Sequence, residues 1–410
     1  MSFDNLGLDA RLMQAVRSMG YSEPTPIQRD AIPHVLEGRD VIGCAQTGTG
    51  KTVAFVLPML QRLSDRKGIK ALVVTPTREL ALQIDEVVRS AAKHTGHRAT
   101  VIYGGVGYEP QLKALKRGDL DVLVATPGRL LDVQERGALD LRNVEVLVLD
   151  EADRMLDMGF WPQVRRILAL LPDRRQNLLF SATMGTAVLR VISSTLTDPV
   201  RVEVAPASTP VEAIDQAVFP VSGTQKSQLL VELVKRRELQ RTLVFTRTKH
   251  RADRVAKQLR NAGIDCAAIH GDRSQSQRQS ALDAFKRGRH RILVATDVVA
   301  RGIDIDDVSH VINFDLPNTP EDYIHRIGRT ARAGRSGSAI TFIDAAEHAG
   351  LREVESHMGM TIRVEDLEDF PYTDDRIVPK DDRPAKVTPR SVYSSGVRGR
   401  RGRSTRIRRR

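Results

Sequence analysis

The chain has 410 residues, of which 41% are hydrophobic and 28% charged, and it carries a formal net charge of +12 at neutral pH. This length allows two or three domains with their own cores, and this composition excludes disorder of the whole chain. Two cysteines, Cys44 and Cys266, exclude a disulfide framework and a zinc site and suit a reducing compartment. No apolar run reaches the ~18 residues that span a bilayer. The first residues include Asp4 and Asp9 and no apolar segment, which argues against a signal peptide, so we expect a cytoplasmic protein without a membrane partner.

Short runs rich in Val, Leu and Ile alternate with helical stretches along most of the chain. Because these runs are nearly continuous in apolar residues, they predict parallel strands that are covered by helices on both faces. In chain order the predicted strands are 40–45, 71–75, 100–103, 121–125, 144–149 and 177–180, followed by 242–245, 266–269, 291–295, 310–314 and 338–343. The predicted fold class is therefore α/β.

Several of these strand sequences recur in the second half of the chain in the same order. Leu123–Thr126 recurs identically as Leu293–Thr296, and three other pairs match at a similar offset of roughly 170 residues. The repeat predicts a duplicated α/β domain; the alternative is that strands ending in Thr or Gly look alike by chance. We place the first domain at 1–205, a Pro/Ser-rich linker at 206–213 and the second domain at 214–370.

Residues 371–410 have a different composition. From Thr373 onward there are 13 Lys/Arg and 4 Asp/Glu, a net charge of +9, whereas the rest of the chain carries +3. From Ser391 onward there are eight arginines and no acidic residue. This pattern predicts a disordered basic tail that binds a polyanion in a salt-dependent way. The alternative is a tail that binds any polyanion or a partner protein.

A glycine-rich loop follows the first predicted strand and precedes a helical stretch. Ala45–Thr52 fits the P-loop pattern, except that Ala45 stands in place of the first glycine. Gly48 and Gly50 let the backbone N–H groups face a phosphate, Lys51 would reach the β- and γ-phosphates, and Thr52 would bind Mg²⁺. The alternative is a simple turn with a surface lysine.

Three carboxylates end the strand at 144–149. Asp150 lies where a strand end can hold Mg²⁺, and Glu151 could orient and polarise an attacking water. The alternative for these residues and Asp153 is a solvated helix N-terminus, where acidic side chains are favoured by the helix dipole.

The second half lacks the paired glycines of the first. Its counterpart of the P-loop, 218–226, therefore predicts no independent nucleotide site. Four arginines instead repeat every three residues, at Arg326, Arg329, Arg332 and Arg335. Such residues could act as arginine fingers on a phosphate held by the other domain, or form a basic face for a polyanion.

Together these motifs resemble those of the DEAD-box ATP-dependent RNA helicases of bacterial type, over about residues 3–365. The box that names the family reads Asp150-Glu151-Ala152-Asp153. Further matches are Pro24–Gln28 with Phe3 upstream, Pro76–Ala81, Gly104–Gly105, Thr126–Arg129, Ser181–Thr183, Gln275 with Arg278, and Ala295–Asp304. The resemblance implies two tandem RecA-like parallel-sheet domains with a disordered basic tail. It also implies an RNA-stimulated ATPase that couples ATP hydrolysis to closing of the domains on RNA, and that unwinds short duplexes locally or remodels RNA–protein complexes.

The resemblance implies roles for individual residues, with ATP and Mg²⁺ as the bound groups. The catalytic residues would be Lys51, Asp150, Glu151, Arg329 and Arg332, and the metal would be held by Thr52 and Asp150. The nucleotide would contact Phe3, Gln28, Ala45, Gln46, Thr47, Gly48, Thr49, Gly50, Lys51, Thr52 and Asp304. Coupling between the domains would rest on Asp153, Ser181, Thr183 and His325. The amide of Gln28 both donates and accepts, which suits adenine over guanine. Ala331 departs from the glycine that is usual in the family.

RNA would be held mainly through its backbone. The residues implied are Thr77, Arg78, Gly105, Thr126, Arg129, Gln275, Arg278 and Thr296. The strand-end residues among them are small, polar or basic, which suits phosphates and 2′-hydroxyls, and none offers an aromatic platform, so we expect largely sequence-independent binding. We further expect a monomer, with ribonucleoprotein or RNA-decay partners at the tail. Two other classes remain open: a DNA helicase or translocase on the same architecture, and a non-enzymatic RNA clamp or annealing chaperone.

Overall fold

The computed structural model describes residues 2–45, 48–184, 186–192, 195–204, 214–297, 308–331, 337–373 and 375–379. Outside these residues lie Gln46, Thr47, Asp304, Arg332, the predicted linker at 206–213 and the predicted tail from 380 onward. Within the described part, no helix has the length and apolarity needed to cross a bilayer.

The first domain is built on a seven-stranded parallel sheet. Its strands are β1 (Val41–Cys44), β2 (Ala71–Val74), β3 (Ala99–Ile102), β4 (Val122–Ala125), β5 (Val146–Asp150), β6 (Gln176–Ser181) and β7 (Val200–Glu203). They lie in the order β3-β4-β2-β5-β6-β1-β7, and each neighbouring pair is parallel.

Helices cover both faces of this sheet. They are α1 (Ala10–Ser18), α2 (Pro26–Leu36), α3 (Lys51–Arg62), α4 (Arg78–Thr95), α5 (Glu109–Leu115), α6 (Pro127–Glu135), α7 (Ala152–Asp157), α8 (Trp161–Leu168) and α9 (Thr186–Ile192).

Successive residues of the central strands pack on opposite faces of the sheet. In β2, Ala71 and Val73 belong to one apolar cluster, whereas Leu72 and Val74 belong to the other. Strands β4 and β5 alternate in the same way, with their apolar side chains buried. Burying one Val or Leu side chain contributes about 1.5–3 kcal/mol. Because both faces are buried, these strands appear in the sequence as continuous apolar runs.

The second domain repeats this architecture. Its strands are β8 (Ile214–Pro220), β9 (Thr242–Thr246), β10 (Cys266–Ile269), β11 (Ile292–Thr296), β12 (His310–Asn313), β13 (Gly337–Ile343) and β14 (Arg363–Val364). They lie in the order β10-β11-β9-β12-β13-β8-β14, all parallel, which is the order of the first sheet with each strand replaced by its counterpart seven strands later. The predicted duplication of an α/β domain is therefore confirmed.

The helices of the second domain are α10 (Lys226–Arg236), α11 (Lys249–Asn261), α12 (Gln275–Lys286), α13 (Pro320–Ile327) and α14 (His348–Met358). Every strand predicted from the sequence is present, with ends shifted by at most two residues. Three strands were not predicted, namely β7, β8 and β14. Polar Asp215 and Gln216 interrupt the apolar run of β8, β7 alternates Val with charged residues, and β14 has only two residues.

The folded body continues past the predicted end of the second domain at 370. Gln225 donates a hydrogen bond from Nε2 to the Pro371 carbonyl at 2.7 Å, and Ser222 donates to Asp375 Oδ2 at 2.8 Å. The described segments 371–373 and 375–379 therefore pack on the second domain, whereas the sequence had placed them in the tail.

Candidate functional site

The glycine-rich loop lies at the carboxyl end of β1. In α/β sheets, ligands bind at the carboxyl ends of the strands. β1 ends at Cys44, and α3 begins at Lys51. Gly48 and Gly50 have φ values of +85° and +89°, in the left-handed region that glycine adopts without steric cost. A methyl group on Gly50 would also overlap the side-chain amide of Gln28. Glycine at position 50 is thus required both by the backbone and by the close approach of Gln28.

Lys51 is placed to bind a phosphate from the first turn of α3. Its side chain is largely buried, and its ammonium group donates a hydrogen bond to the carbonyl oxygen of Ala45 across the loop. Thr52 follows it in the same turn. The Ala45 carbonyl therefore holds the Lys51 ammonium group at the loop, where this group could bind a phosphate.

The amide of Gln28 contacts both ends of this region. Its Oε1 accepts from the Thr25 N–H at 3.0 Å, and its Nε2 donates to the Gly50 carbonyl at 3.1 Å. One N–H and one lone pair of the amide remain for a ligand. Phe3 lies in the apolar core and is 1% exposed, so its ring anchors this segment and has no free face for a nucleotide.

The acidic residues at the carboxyl end of β5 lie next to the loop. Asp150 is buried, and burial raises its pKa to about 7, although the nearby Lys51 ammonium opposes this rise. Glu151 has φ +54°, a strained conformation for a non-glycine residue. Its carboxylate pairs with Arg154 at 3.0 Å, and both side chains are largely buried. The structure therefore fixes the direction of the Glu151 side chain at the expense of backbone strain.

Asp153 connects the acidic turn to the end of β6. Its backbone N–H donates to Ser181 Oγ at 3.3 Å. Its Oδ2 accepts from both the N–H and the hydroxyl of Thr183, each at 2.9 Å. Asp153 thus connects the acidic turn to Ser181 and Thr183 by hydrogen bonds.

A cleft between the two domains contains several predicted residues. It has a volume of about 500 Å³, and Glu151, Asp153 and Thr183 line it from the first domain, whereas His325 and Arg329 line it from the second. The structure therefore brings the predicted water-orienting, coupling and finger residues to one place.

The arginine repeat of the second domain divides into two kinds of residue. Arg326 is 1% exposed and forms hydrogen bonds with Asp297 at 2.6 and 2.7 Å and with Asn313 at 3.2 Å, so it is a buried structural residue and not part of a basic face. Arg329 reaches the cleft. Ala331 has φ +56°, which explains why a glycine would be favoured at this position.

In the second domain, the loop that corresponds to the P-loop is followed by a lysine whose charge is neutralised by carboxylates of the same domain. Lys226 is the first residue of α10, as Lys51 is of α3. Its ammonium group is fully buried and pairs with Glu347 at 2.5 Å and with Asp344 at 3.2 Å. Because these carboxylates already pair with Lys226, its charge is not available to a phosphate. This agrees with the absence of the paired glycines from this loop.

The predicted RNA contacts of the first domain cluster at the carboxyl ends of β2, β3 and β4. Thr77 caps α4, and the guanidinium of Arg78 lies so close to Gly105 that a methyl group there would overlap it. Arg129 donates to the Val106 carbonyl at 2.9 Å and is 5% exposed. Arg129 thus supports the loop after β3 more than it faces solvent. Thr126 begins α6 at the end of β4.

Two residues of the second domain that were predicted to contact RNA contact the first domain in the structure. Arg278 pairs with Glu79 of the first domain at 3.0 Å, and Gln275 donates to the same carboxylate at 3.3 Å. All three residues are at most 6% exposed. In the structure Gln275 and Arg278 therefore connect the domains through a buried carboxylate. Thr296 ends β11 on the edge expected for RNA.

Sequence reasoning missed a basic group at the start of α11. A cavity of about 330 Å³ is lined by Arg247, His250, Arg251 and Arg254. Their spacing of three and four residues across a helix start was a usable signal. Glu79 was also missed, because its partners lie roughly 200 residues away in the sequence.

Two family models match the chain. The model described as DEAD/DEAH box helicase matches residues 25–191, and the model described as helicase conserved C-terminal domain matches residues 225–334.

Curated relatives share 44% identity with this chain. The DEAD-box ATP-dependent RNA helicase CshA of Bacillus cereus aligns over 377 residues, which cover 92% of this chain and 71% of the relative. The ATP-dependent RNA helicase RhlB of Pseudomonas putida aligns over 373 residues, 88% of this chain and 94% of the relative. For the ATP-dependent RNA helicase DeaD of Escherichia coli the shares are 88% and 58%.

Solved structures show the same two-domain arrangement. S. cerevisiae Dbp5 bound to RNA and ADP BeF3 has a TM-score of 0.81 at 35% identity, covering 89% of this chain and 95% of the other. The DEAD-box helicase Mss116 bound to ssRNA and UDP-BeF has a TM-score of 0.82 at 31% identity, covering 90% and 81%.

Proposed function

Since the chain belongs to the DEAD-box family of ATP-dependent RNA helicases, which are RNA-stimulated ATPases, we propose that it couples ATP hydrolysis to closing of its two domains on RNA. The work done on RNA is local unwinding of short duplexes or remodelling of RNA–protein complexes. The observation that carries this proposal is the cleft in which Glu151 and Thr183 face His325 and Arg329. A site divided between two domains is complete only when they lie together, so turnover depends on their approach.

The nucleotide lies on the first domain. Gln28 uses its remaining N–H and lone pair for the adenine edge, and Lys51 exchanges the Ala45 carbonyl for a phosphate. Tyr21, 38% exposed in the loop that leads to Gln28, offers an aromatic face to the base. Gln46, Thr47 and Asp304 contribute as they do in the family.

The residues at the loop fit a magnesium ion. Mg²⁺ prefers oxygen ligands, and the Thr52 hydroxyl and the Asp150 carboxylate are of that kind. Asp150 is buried and has a raised pKa, so a nearby cation would stabilise the charged form of its carboxylate. When bound, the ion would neutralise charge on the β- and γ-phosphates.

Hydrolysis uses groups from both domains. Glu151 orients and polarises the attacking water, and its ion pair with Arg154 holds the carboxylate in place. Arg329 and Arg332 stabilise charge that develops on the transferred phosphoryl group. The residues that couple this site to the contact between the domains are Asp153, Ser181, Thr183 and His325. Thr183 is bonded to Asp153 and faces the second domain.

RNA lies across the carboxyl ends of the strands. Thr77, Arg78, Gly105 and Thr126 serve the first domain, with Thr296 on the second, and they contact phosphates and 2′-hydroxyls. Arg129, Gln275 and Arg278 act by holding these elements in place. If RNA favours the closed arrangement, it must also tighten ATP binding to the same extent.

Two substitutions test this assignment. Glu151→Gln should keep ATP binding and stop RNA-stimulated phosphate release, whereas Lys51→Ala should abolish ATP binding. Glu145→Gln is the matched control, because Glu145 precedes the amino end of β5 and bonds to Ser64. Phosphate release by Glu151→Gln at the control rate would contradict the role of Glu151. Absence of RNA-stimulated phosphate release from the wild type would favour a clamp without turnover. Stronger stimulation by DNA than by RNA of the same sequence would favour a DNA helicase.

A further inference from the structure

The outer edge of the second sheet carries a groove that lies outside the proposed ATP and RNA sites. β10 is the first strand in the order β10-β11-β9, so within the described residues one of its sides has no neighbouring strand. A groove of about 630 Å³ runs along this side, between the end of α11 and the first half of α12. We call it the β10 groove.

The floor of the β10 groove is backbone. The Asp265 carbonyl accepts from the Arg291 and Ile292 N–H groups at 3.1 and 3.3 Å, so it points to β11. Because peptide groups alternate in direction along a strand, Cys266 and Ala268 turn theirs away from β11, toward the groove. The small side chain of Ala268 leaves this floor accessible. The groove therefore presents N–H and C=O groups that are suited to one more strand.

The walls of the β10 groove are basic. Arg260, Arg273 and His290 line it together with hydroxyl groups, and among the residues that the structure describes no carboxylate does. The Nη2 of Arg273 pairs with Asp253 at 2.5 Å, but 36% of the Arg273 side chain remains exposed. Arg260 is exposed as well, so the groove presents positive charge to an occupant.

We propose that the β10 groove docks an extended acidic segment of a partner protein, which adds a strand beside β10. Main-chain hydrogen bonds would give affinity, and carboxylates on alternate residues would meet Arg260 and Arg273. Four residues of β10 accept a segment of about 13 Å. RNA matches the groove less well, because it carries phosphates but no peptide N–H and C=O groups with which to continue the sheet.

The first domain supplies a comparison at the equivalent edge. A groove of about 440 Å³ lies along β3, but Asp119 lines it and forms an ion pair with Arg98. Arg89, Lys93 and Arg117 also line it. This edge is therefore basic as well and differs from the β10 groove by the carboxylate in its lining, so substitutions there control for general charge effects.

The test uses the full-length protein and fluorescein-labelled short peptides of alternating Glu and Val. A second peptide has the same charge but carries Pro in place of the central Val residues, which removes N–H donors. Fluorescence anisotropy compares the wild type, Arg260→Glu/Arg273→Glu, and the control Lys93→Glu/Arg117→Glu. A further variant, Ser280→Glu, adds a carboxylate on an exposed helix position of the groove, where folding should be unaffected. Binding of a labelled single-stranded RNA is measured in parallel.

The wild type and the β3 control should bind the alternating peptide, whereas the Arg260/Arg273 variant and Ser280→Glu should bind about tenfold more weakly. The Pro-containing peptide should also bind about tenfold more weakly, with RNA affinity unchanged throughout. Equal binding of both peptides, equal weakening by the β3 control, or no binding by the wild type would overturn the proposal. Loss of RNA affinity alone in the groove variants would show a nucleic-acid surface instead.

Discussion

The buried contact between Glu79 and the pair Gln275 and Arg278 gives a quantitative prediction about coupling between the domains. Glu79 lies on α4 of the first domain, and its two partners lie on α12 of the second. Removing one member of a buried ion pair costs about 3–5 kcal/mol when the other stays buried. Here the remaining charge can return to water when the domains separate. The cost therefore falls on the joined arrangement and not on the folding of either domain.

Glu79→Ala should accordingly weaken the mutual enhancement of ATP and RNA binding by about 1–3 kcal/mol, the usual range of such coupling, or about five- to 150-fold. ATP affinity without RNA and the thermal unfolding midpoint should be nearly unchanged. The assay measures ATP affinity with and without saturating RNA for the wild type, Glu79→Ala, Arg278→Met and the double variant.

The double-mutant cycle decides between two roles of Arg278. If it acts through Glu79, the two substitutions should be non-additive by about 0.5–3 kcal/mol. Additive effects, together with a loss of RNA affinity in Arg278→Met without nucleotide, would refute the domain contact and support the direct RNA contact that the family resemblance implied.

Three other predictions concern the backbone and one titrating group. Gly50→Ala should abolish ATP binding, because it combines a left-handed backbone with overlap of Gln28, whereas Gly137→Ala, with φ +67° and no neighbour within 4 Å, should cost only about 1 kcal/mol in urea unfolding. Ala331→Gly should stabilise the protein by about 0.5–1 kcal/mol, since φ +56° strains alanine; a lower thermal midpoint would contradict this. The folded-state pKa of Asp150, about 7, exceeds its ordinary value of 3.8, so its stabilising contribution is present below about pH 4 and is lost as pH rises through 7. The urea midpoint of nucleotide-free protein, relative to Asp150→Asn, should therefore decline from pH 4 to 7.5, and a flat difference would count against the raised pKa.

The sheets were predictable from the sequence because their central strands are buried on both faces. Continuous runs such as those of β2 and β5 leave a clear signal, whereas β8 and β7 do not, because their polar residues interrupt it. The duplicated topology was predictable for the same reason, since the repeated strands carry similar sequences.

The directions of individual side chains were less predictable. Arg326 and Arg329 have the same residue type in one repeat and both are buried, yet Arg326 pairs with Asp297 whereas Arg329 lines the cleft. Nothing in their spacing distinguishes them, because the contacts of each side chain depend on the elements that α13 packs against. Gln275 and Arg278 likewise depend on a contact with Glu79, which is distant in sequence and only the folded chain brings near.

The internal neutralisation of Lys226 by Glu347 and Asp344 has a consequence for how many nucleotides the chain binds. Two similar domains could each bind a nucleotide. Because Lys226 already pairs with carboxylates of its own domain, we expect the second domain to bind none on its own, which gives a stoichiometry of one ATP per chain.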